Sequence, residues 1–318
     1  MQIKPIRIKK TTAAFLLCAA VLLLLFGTRM IHSSLLGYGG AYYLSLIILQ
    51  LIVYVLPAIF YTKLCGGESA LRVTPIALPR LGFVLASALT LLFGSAALKI
   101  MLAYMGAASG DFAGYESSIA LTDSTGVSDV IYIIMAFVIC PALCQELVFR
   151  GILLQELRGT GGSVCAVLLC GAMYAFTFFT PETFLYHFAV GVWYGVVSLL
   201  SRSLLSAVLL HGIYSLFYVF AESYLLHLAI DSQYLTLVVF IIVSLALFSL
   251  AVTLGEAERL CYNDGIAGVK SPDTPRYDPD GDIREQRLER FRTHVLSPGF
   301  LLCAALFIAG SLITHLLL

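Results

Sequence analysis

The chain has 318 residues, 60% of them hydrophobic and 12% charged, with a formal net charge of zero and a mean hydropathy of +0.94. Soluble domains carry about 25% charged residues, so this composition excludes a soluble protein and specifies an all-α, polytopic membrane protein. The zero net charge decides nothing, because the charges are segregated along the chain and no nucleic-acid partner is expected from them.

Lys4, Arg7, Lys9 and Lys10 precede an apolar run from about Thr12 to Met30. That run is too long for a signal-peptide core and has no small-residue cleavage site before Arg29, so it is expected to be a retained first helix. Further apolar runs follow at roughly 41–63, 82–104, 128–157, 163–180, 183–200, 203–228, 232–254 and 298–317. They predict about nine spans, of which 163–180 and 183–200 are short enough to be tilted or partly re-entrant. Three regions result: residues 1–127 with three spans and an outer loop, a four-helix core over 128–228, and 229–318 with a soluble segment at 256–297.

Basic residues set the expected orientation. Lys63, Arg72, Arg80, Arg158, Arg202, Arg259, Lys270, Arg276, Arg284, Arg287, Arg290 and Arg292 all fall in loops on one side if the N-terminus is cytoplasmic. The alternate loops hold Asp111, Glu116, Asp123, Glu182 and Asp231. Arg29 and Lys99, near outer ends of spans, break the pattern. Nothing marks an organelle, so the cell membrane is the expected location and membrane lipid the first partner.

The loop from Gly106 to Val127 leads into Ser128-Asp129, a predicted N-cap for the fourth span. In the soluble segment, Asp282 to Thr293 reads as a short charged helix with Ile283, Leu288 and Phe291 as a thin apolar stripe, lying on the inner leaflet. Asp278, Asp280, Asp282 and Glu289 follow calcium-loop spacing, but Ile283 stands where that loop needs glycine. The eight cysteines sit mostly in apolar runs and read as small buried hydrophobes. Cys140 and Cys144 are one helical turn apart, a pair placed to share a metal; no metal and no cofactor is assigned.

The chemistry is concentrated in Pro141-Ala142-Leu143-Cys144-Gln145-Glu146-Leu147-Val148-Phe149-Arg150-Gly151. Here Glu146 and Arg150 lie four apart on a helix flanked by hydrocarbon-like sequence, in the favoured acid-first order. Ionisable residues inside a span are costly and mark functional sites, although a structural salt bridge accounts equally well for the spacing.

The run Gln145-Glu146-Leu147-Val148-Phe149-Arg150-Gly151 resembles the first motif, Glu-Glu-x-x-x-Arg, of the CAAX protease and bacteriocin-processing (Abi) family of intramembrane endopeptidases. Phe176-Thr177-Phe178-Phe179-Thr180 stands where that family has Phe-x-x-x-His. His211-Gly212-Ile213-Tyr214-Ser215 stands where it has His-x-x-x-Asn or Asp. The likeness covers about residues 128–220 and includes the Gly191/Gly195 pair and Ser203-Leu204. It implies a general base at position 145, a water-positioning histidine at 180, and an oxyanion-holding amide at 215. The residues present are Gln145, Thr180 and Ser215, with Glu146, Arg150, Phe176 and His211 retained.

An amide has no lone pair basic enough to act at pH 7. A lost general base typically costs 10²–10⁴-fold, and a lost oxyanion donor about 10²–10³-fold. Gln145, Glu146, Arg150, Thr180, His211 and Ser215 are therefore expected to converge on one membrane cavity whose protease chemistry has degenerated. Such a cavity would bind a membrane-embedded or lipidated peptide or partner protein with little or no cleavage. His187 and His227 are outlying candidates for rescue, and a live endopeptidase with an altered site is the alternative. A small-molecule or ion carrier using Glu146, Arg150 and His211 is a third reading, which the absence of an internal repeat disfavours.

Overall fold

The computed structural model describes residues 10–31, 40–64, 76–109, 127–221, 235–266 and 282–317. The loop after residue 109, His227 and the acidic run from Asp278 through Asp280 lie outside these residues. Every regular element described is helical. In chain order they are α1 (Lys10–Arg29), α2 (40–64), α3 (Leu81–Ser109), α4 (127–161), α5 (Ser163–Phe176), α6 (Phe184–Ser201), α7 (Leu204–Phe220), α8 (Leu235–Ile266), α9 (Ile283–Val295) and α10 (Pro298–Leu317).

Seven of these are apolar and long enough to cross a bilayer, while α5 and α7 are apolar but shorter. At 1.5 Å per residue, α5 reaches about 21 Å, less than a ~30 Å hydrocarbon core. The nine apolar runs thus correspond to nine apolar helices. The fourth begins at Val127, so Ser128 and Asp129 fall in its first turn rather than before it.

Contacts between helix ends sort the bundle into two poles. At one, Tyr61 donates to Glu156 (3.0 Å), Arg80 and Arg202 both pair with Asp264, and Thr160 meets His294 of α9 (2.9 Å). At the other, Arg29 donates to the Phe178 carbonyl and His315 meets Glu182. Successive apolar helices run in alternating directions between them. The outward faces are apolar: Phe240, Leu247 and Phe248 of α8 are 68%, 63% and 70% exposed, as suits a surface solvated by lipid chains.

Asp282 caps α9, accepting from the Arg284 amide at 2.8 Å. Of its apolar stripe, Phe291 packs on the core while Ile283 and Leu288 remain exposed.

Two features of the inner helices position the site. Helix α4 contains wide turns at Met135–Ile139 and Leu147–Leu153, the second enclosing Arg150, closed by the bonds Cys140 N–H to Met135 O and Leu154 N–H to Phe149 O. Such i→i+5 turns occur disproportionately at functional sites. The second feature is the crossing of α5 on α6. A Cβ on Gly191 would lie 3.0 Å from Gly171 Cα and 3.1 Å from its carbonyl oxygen, so only glycine lets these backbones meet. Gly191→Ala is expected to cost ~1–3 kcal/mol as overpacking. Gly195→Ala, whose Cβ would meet Val167 at an ordinary 3.4 Å, is expected to melt closer to wild type. Equal melting shifts for the two variants would contradict this account of the crossing.

Candidate functional site

Glu146 and Arg150 are both 0% exposed. Arg150 Nη1 donates to Glu146 Oε1 (3.0 Å) and Nη2 donates to the Gly191 carbonyl (2.7 Å). Its guanidinium lies 5.1 Å from the ring centroids of both Tyr174 and Tyr194. The pair thereby fastens α4 to α6 at the point where α6 crosses α5.

Glu146 has a second partner that spacing alone does not reveal. His211 Nδ1 lies 2.8 Å from the same Oε1. Because a carboxylate only accepts, Nδ1 is a protonated ring nitrogen, and in the neutral imidazole Nε2 then carries the lone pair. Tyr194 stacks on the imidazole (4.9 Å, 17°) and Tyr174 meets it edge-on (6.2 Å, 84°). The ring is fixed in place and in tautomer.

His211 also lines a cavity of about 500 Å³ together with Gln145, Thr180 and Ser215. Four of the six residues singled out from the sequence therefore face one space. Glu146 and Arg150 stand behind its wall, and Glu146 reaches the cavity only through His211.

Thr180 is presented by a tight reversal after α5. Phe179 adopts a left-handed conformation (φ 52°), a state costing a bulky residue about 1–2 kcal/mol. It is 1% exposed and packs edge-on against Phe26 (6.0 Å) with the Arg29 guanidinium 5.3 Å above its ring. Thr180 Oγ1 pairs with Thr183 Oγ1.

Sequence reasoning passed over several cavity residues. Arg29 and Lys99 both line the cavity. Arg29 clamps the reversal through the Phe178 carbonyl, and Lys99 lies over the rings of Tyr186 and Tyr218 (4.9 and 4.6 Å). Their violation of the basic-loop rule was the available signal. His187, which the sequence offered as an outlying candidate, lines the cavity too, its ring parallel to Phe178 at 3.4 Å. Gln145 and Arg29 further line a smaller chamber of about 220 Å³ between α1, α2 and α4, walled mainly by Leu25, Leu46, Leu49 and Val53. The Cys140 and Cys144 sulfurs are 3.8 Å apart, and among the described residues no three His, Cys, Asp or Glu side chains gather as metal ligands.

Residues 127–217, the stretch that supplies every one of these motif positions, match the family described as Rce1-like, Type II CAAX prenyl endopeptidase Rce1-like. Over that stretch the chain is similar to the CAAX-protease family. No curated protein and no solved structure matches it. The matched segment spans α4 to α7, the helices that supply most of the cavity wall. Helices α1 and α3 complete the walls from outside it, supplying Arg29 and Lys99.

Proposed function

We propose that this protein binds a membrane-embedded or lipidated peptide, or the membrane segment of a partner protein, and hydrolyses its amide bonds little or not at all. The observation that supports this most directly is the cavity itself. It is large enough for a short extended peptide, and its wall presents Gln145, Thr180 and Ser215 where the family resemblance calls for a base, a water-positioning histidine and an oxyanion donor. The frame of Glu146 and Arg150 behind the wall, with His211 in it, is intact. A binding pocket is kept while the groups that make it a glutamate protease are replaced by neutral polar ones.

The orientation we favour is N-terminus cytoplasmic, in the cell membrane. The pole carrying Arg80, Arg158, Arg202, Arg284, Arg287, Arg290 and Arg292 is then cytoplasmic. The cavity, flanked by Arg29, Lys99 and Thr180 near the opposite pole, is reached from the outer side, so its ligand would be presented from the outer leaflet.

The test is peptide cleavage by the purified wild-type protein, with Glu146→Gln as control. No turnover is expected from either. Robust turnover that vanishes in Glu146→Gln would overturn the binding-only reading and establish a live protease.

A further inference from the structure

The geometry points to a general-base dyad: His211, oriented by Glu146, activates water against a carboxylic ester of a membrane-embedded amphiphile held in the 500 Å³ cavity. This rests on the reading that the cavity receives a membrane-embedded ligand, and it adds a reaction that the missing glutamate does not forbid.

The argument starts from the ring nitrogens. Nδ1–H is committed to Glu146 Oε1 at 2.8 Å, so the basic lone pair is on Nε2. The Nδ1 edge faces Glu146 behind the wall, and the ring lines the cavity, which leaves the Nε2 edge as the one turned to it. An imidazole held this way by a buried carboxylate has its tautomer and its orientation fixed. Two tyrosine rings hold the plane. Glu146 is in turn held by Arg150 and is 0% exposed, so the carboxylate cannot turn away without breaking a buried pair. A histidine stapled for packing alone needs none of its ring on a cavity, whereas this one shares that cavity with the donors Gln145, Thr180 and Ser215.

The step balances without any further reactant. Water attacks the ester carbonyl carbon as His211 Nε2 takes one of its protons, giving a tetrahedral oxyanion and an imidazolium. The oxyanion collapses, the carbon–oxygen bond to the alcohol breaks, and the departing alkoxide takes the proton from Nε2. The products are a carboxylic acid and an alcohol, and His211 is regenerated. The Gln145 amide and the Ser215 and Thr180 hydroxyls line the space in which the oxyanion forms and are its available donors. An ester is the fitting substrate because its carbonyl is more electrophilic than an amide's and its leaving group is less basic. Imidazole is base enough for it, while the amide-cleaving arrangement at 145, 180 and 215 is gone. The apolar part of the amphiphile is accommodated by the adjoining 220 Å³ chamber, which shares Gln145, Phe137 and Arg29 with the main cavity.

The experiment uses the full chain in nanodiscs, 4-methylumbelliferyl oleate as substrate, and the corresponding non-hydrolysable oleyl ether as binding probe. Saturable hydrolysis is expected from wild type. His211→Gln should lower kcat by at least about 10²-fold with ether binding retained. Glu146→Gln, a change in a positioning residue, should lower kcat while leaving KM in place, a split that simple loss of fold would not give. If Glu146→Gln fails to fold, His211→Gln decides. Ether binding with wild-type hydrolysis no faster than that of His211→Gln overturns the dyad and leaves the binding reading standing. Failure of the ether to bind, with a lipidated peptide still binding, overturns the dyad alone; failure of both to bind overturns the binding reading as well.

Discussion

Arg150→Ala is expected to lower stability by ~3–5 kcal/mol, the largest single-residue loss in this molecule. Among the described residues Arg150 is the bulkiest fully buried side chain, and its removal has three consequences at once. Glu146, 0% exposed, loses its cationic partner and keeps only His211. The Gly191 carbonyl loses a 2.7 Å donor at the tightest helix crossing. Tyr174 and Tyr194 lose the cation between them. Arg150→Lys should fall between, since an ammonium lacks the planar fork that reaches Glu146 and Gly191 together. The comparison that gives the number meaning is Arg80→Ala. Its pair with Asp264 is 36% exposed on the arginine side, and such a pair is worth no more than about 1 kcal/mol. Thermal melting in detergent reads all three. Arg150→Ala melting with wild type would mean that the pair is solvated and that the network does not tie α4 to α6.

That network also shows where reading the sequence stops. The nine apolar runs, the short helix α9 and the Glu146–Arg150 pair were legible because each is a local property, set by hydropathy or by helical spacing. The bond from His211 to Glu146 joins residues 65 apart and depends on how α7 packs on α4, which no spacing encodes. The wide turns in α4 are a second limit. Each adds a residue to its turn and rotates everything beyond it, so face assignments made at 100° per residue drift along 127–161. The glycines are a third. Gly191 and Gly195 were visible as a pair, but the backbone contact is between Gly191 and Gly171, two residues on different helices. Arg29 and Lys99 stood out only as exceptions to a charge rule, and their reason is tertiary: one clamps the reversal that presents Thr180, and the other lies over two tyrosines at the cavity.

Restoring all three replaced positions, Gln145→Glu with Thr180→His and Ser215→Asn, is expected to raise peptide cleavage at least about 10²-fold above wild type. Each single reversion is expected to do little. The reason is that base, water-positioning group and oxyanion donor act on one transition state, so any remaining defect still limits the rate. The three positions line one cavity, and His211, which the family pattern also requires, is already fixed there by Glu146 and Tyr194. The cavity of about 500 Å³ has room for the extra atoms at 180 and 215, and replacing Thr180 gives up the pairing of its hydroxyl with that of Thr183. The assay is cleavage of a membrane-peptide library by purified variants, with peptide binding measured in parallel. Cleavage that appears only in the triple variant would support the binding-only reading of the wild type and assign it to these positions. A triple variant that folds and binds peptide yet still cleaves none would place the defect elsewhere, in how the cavity holds the scissile carbonyl against His211.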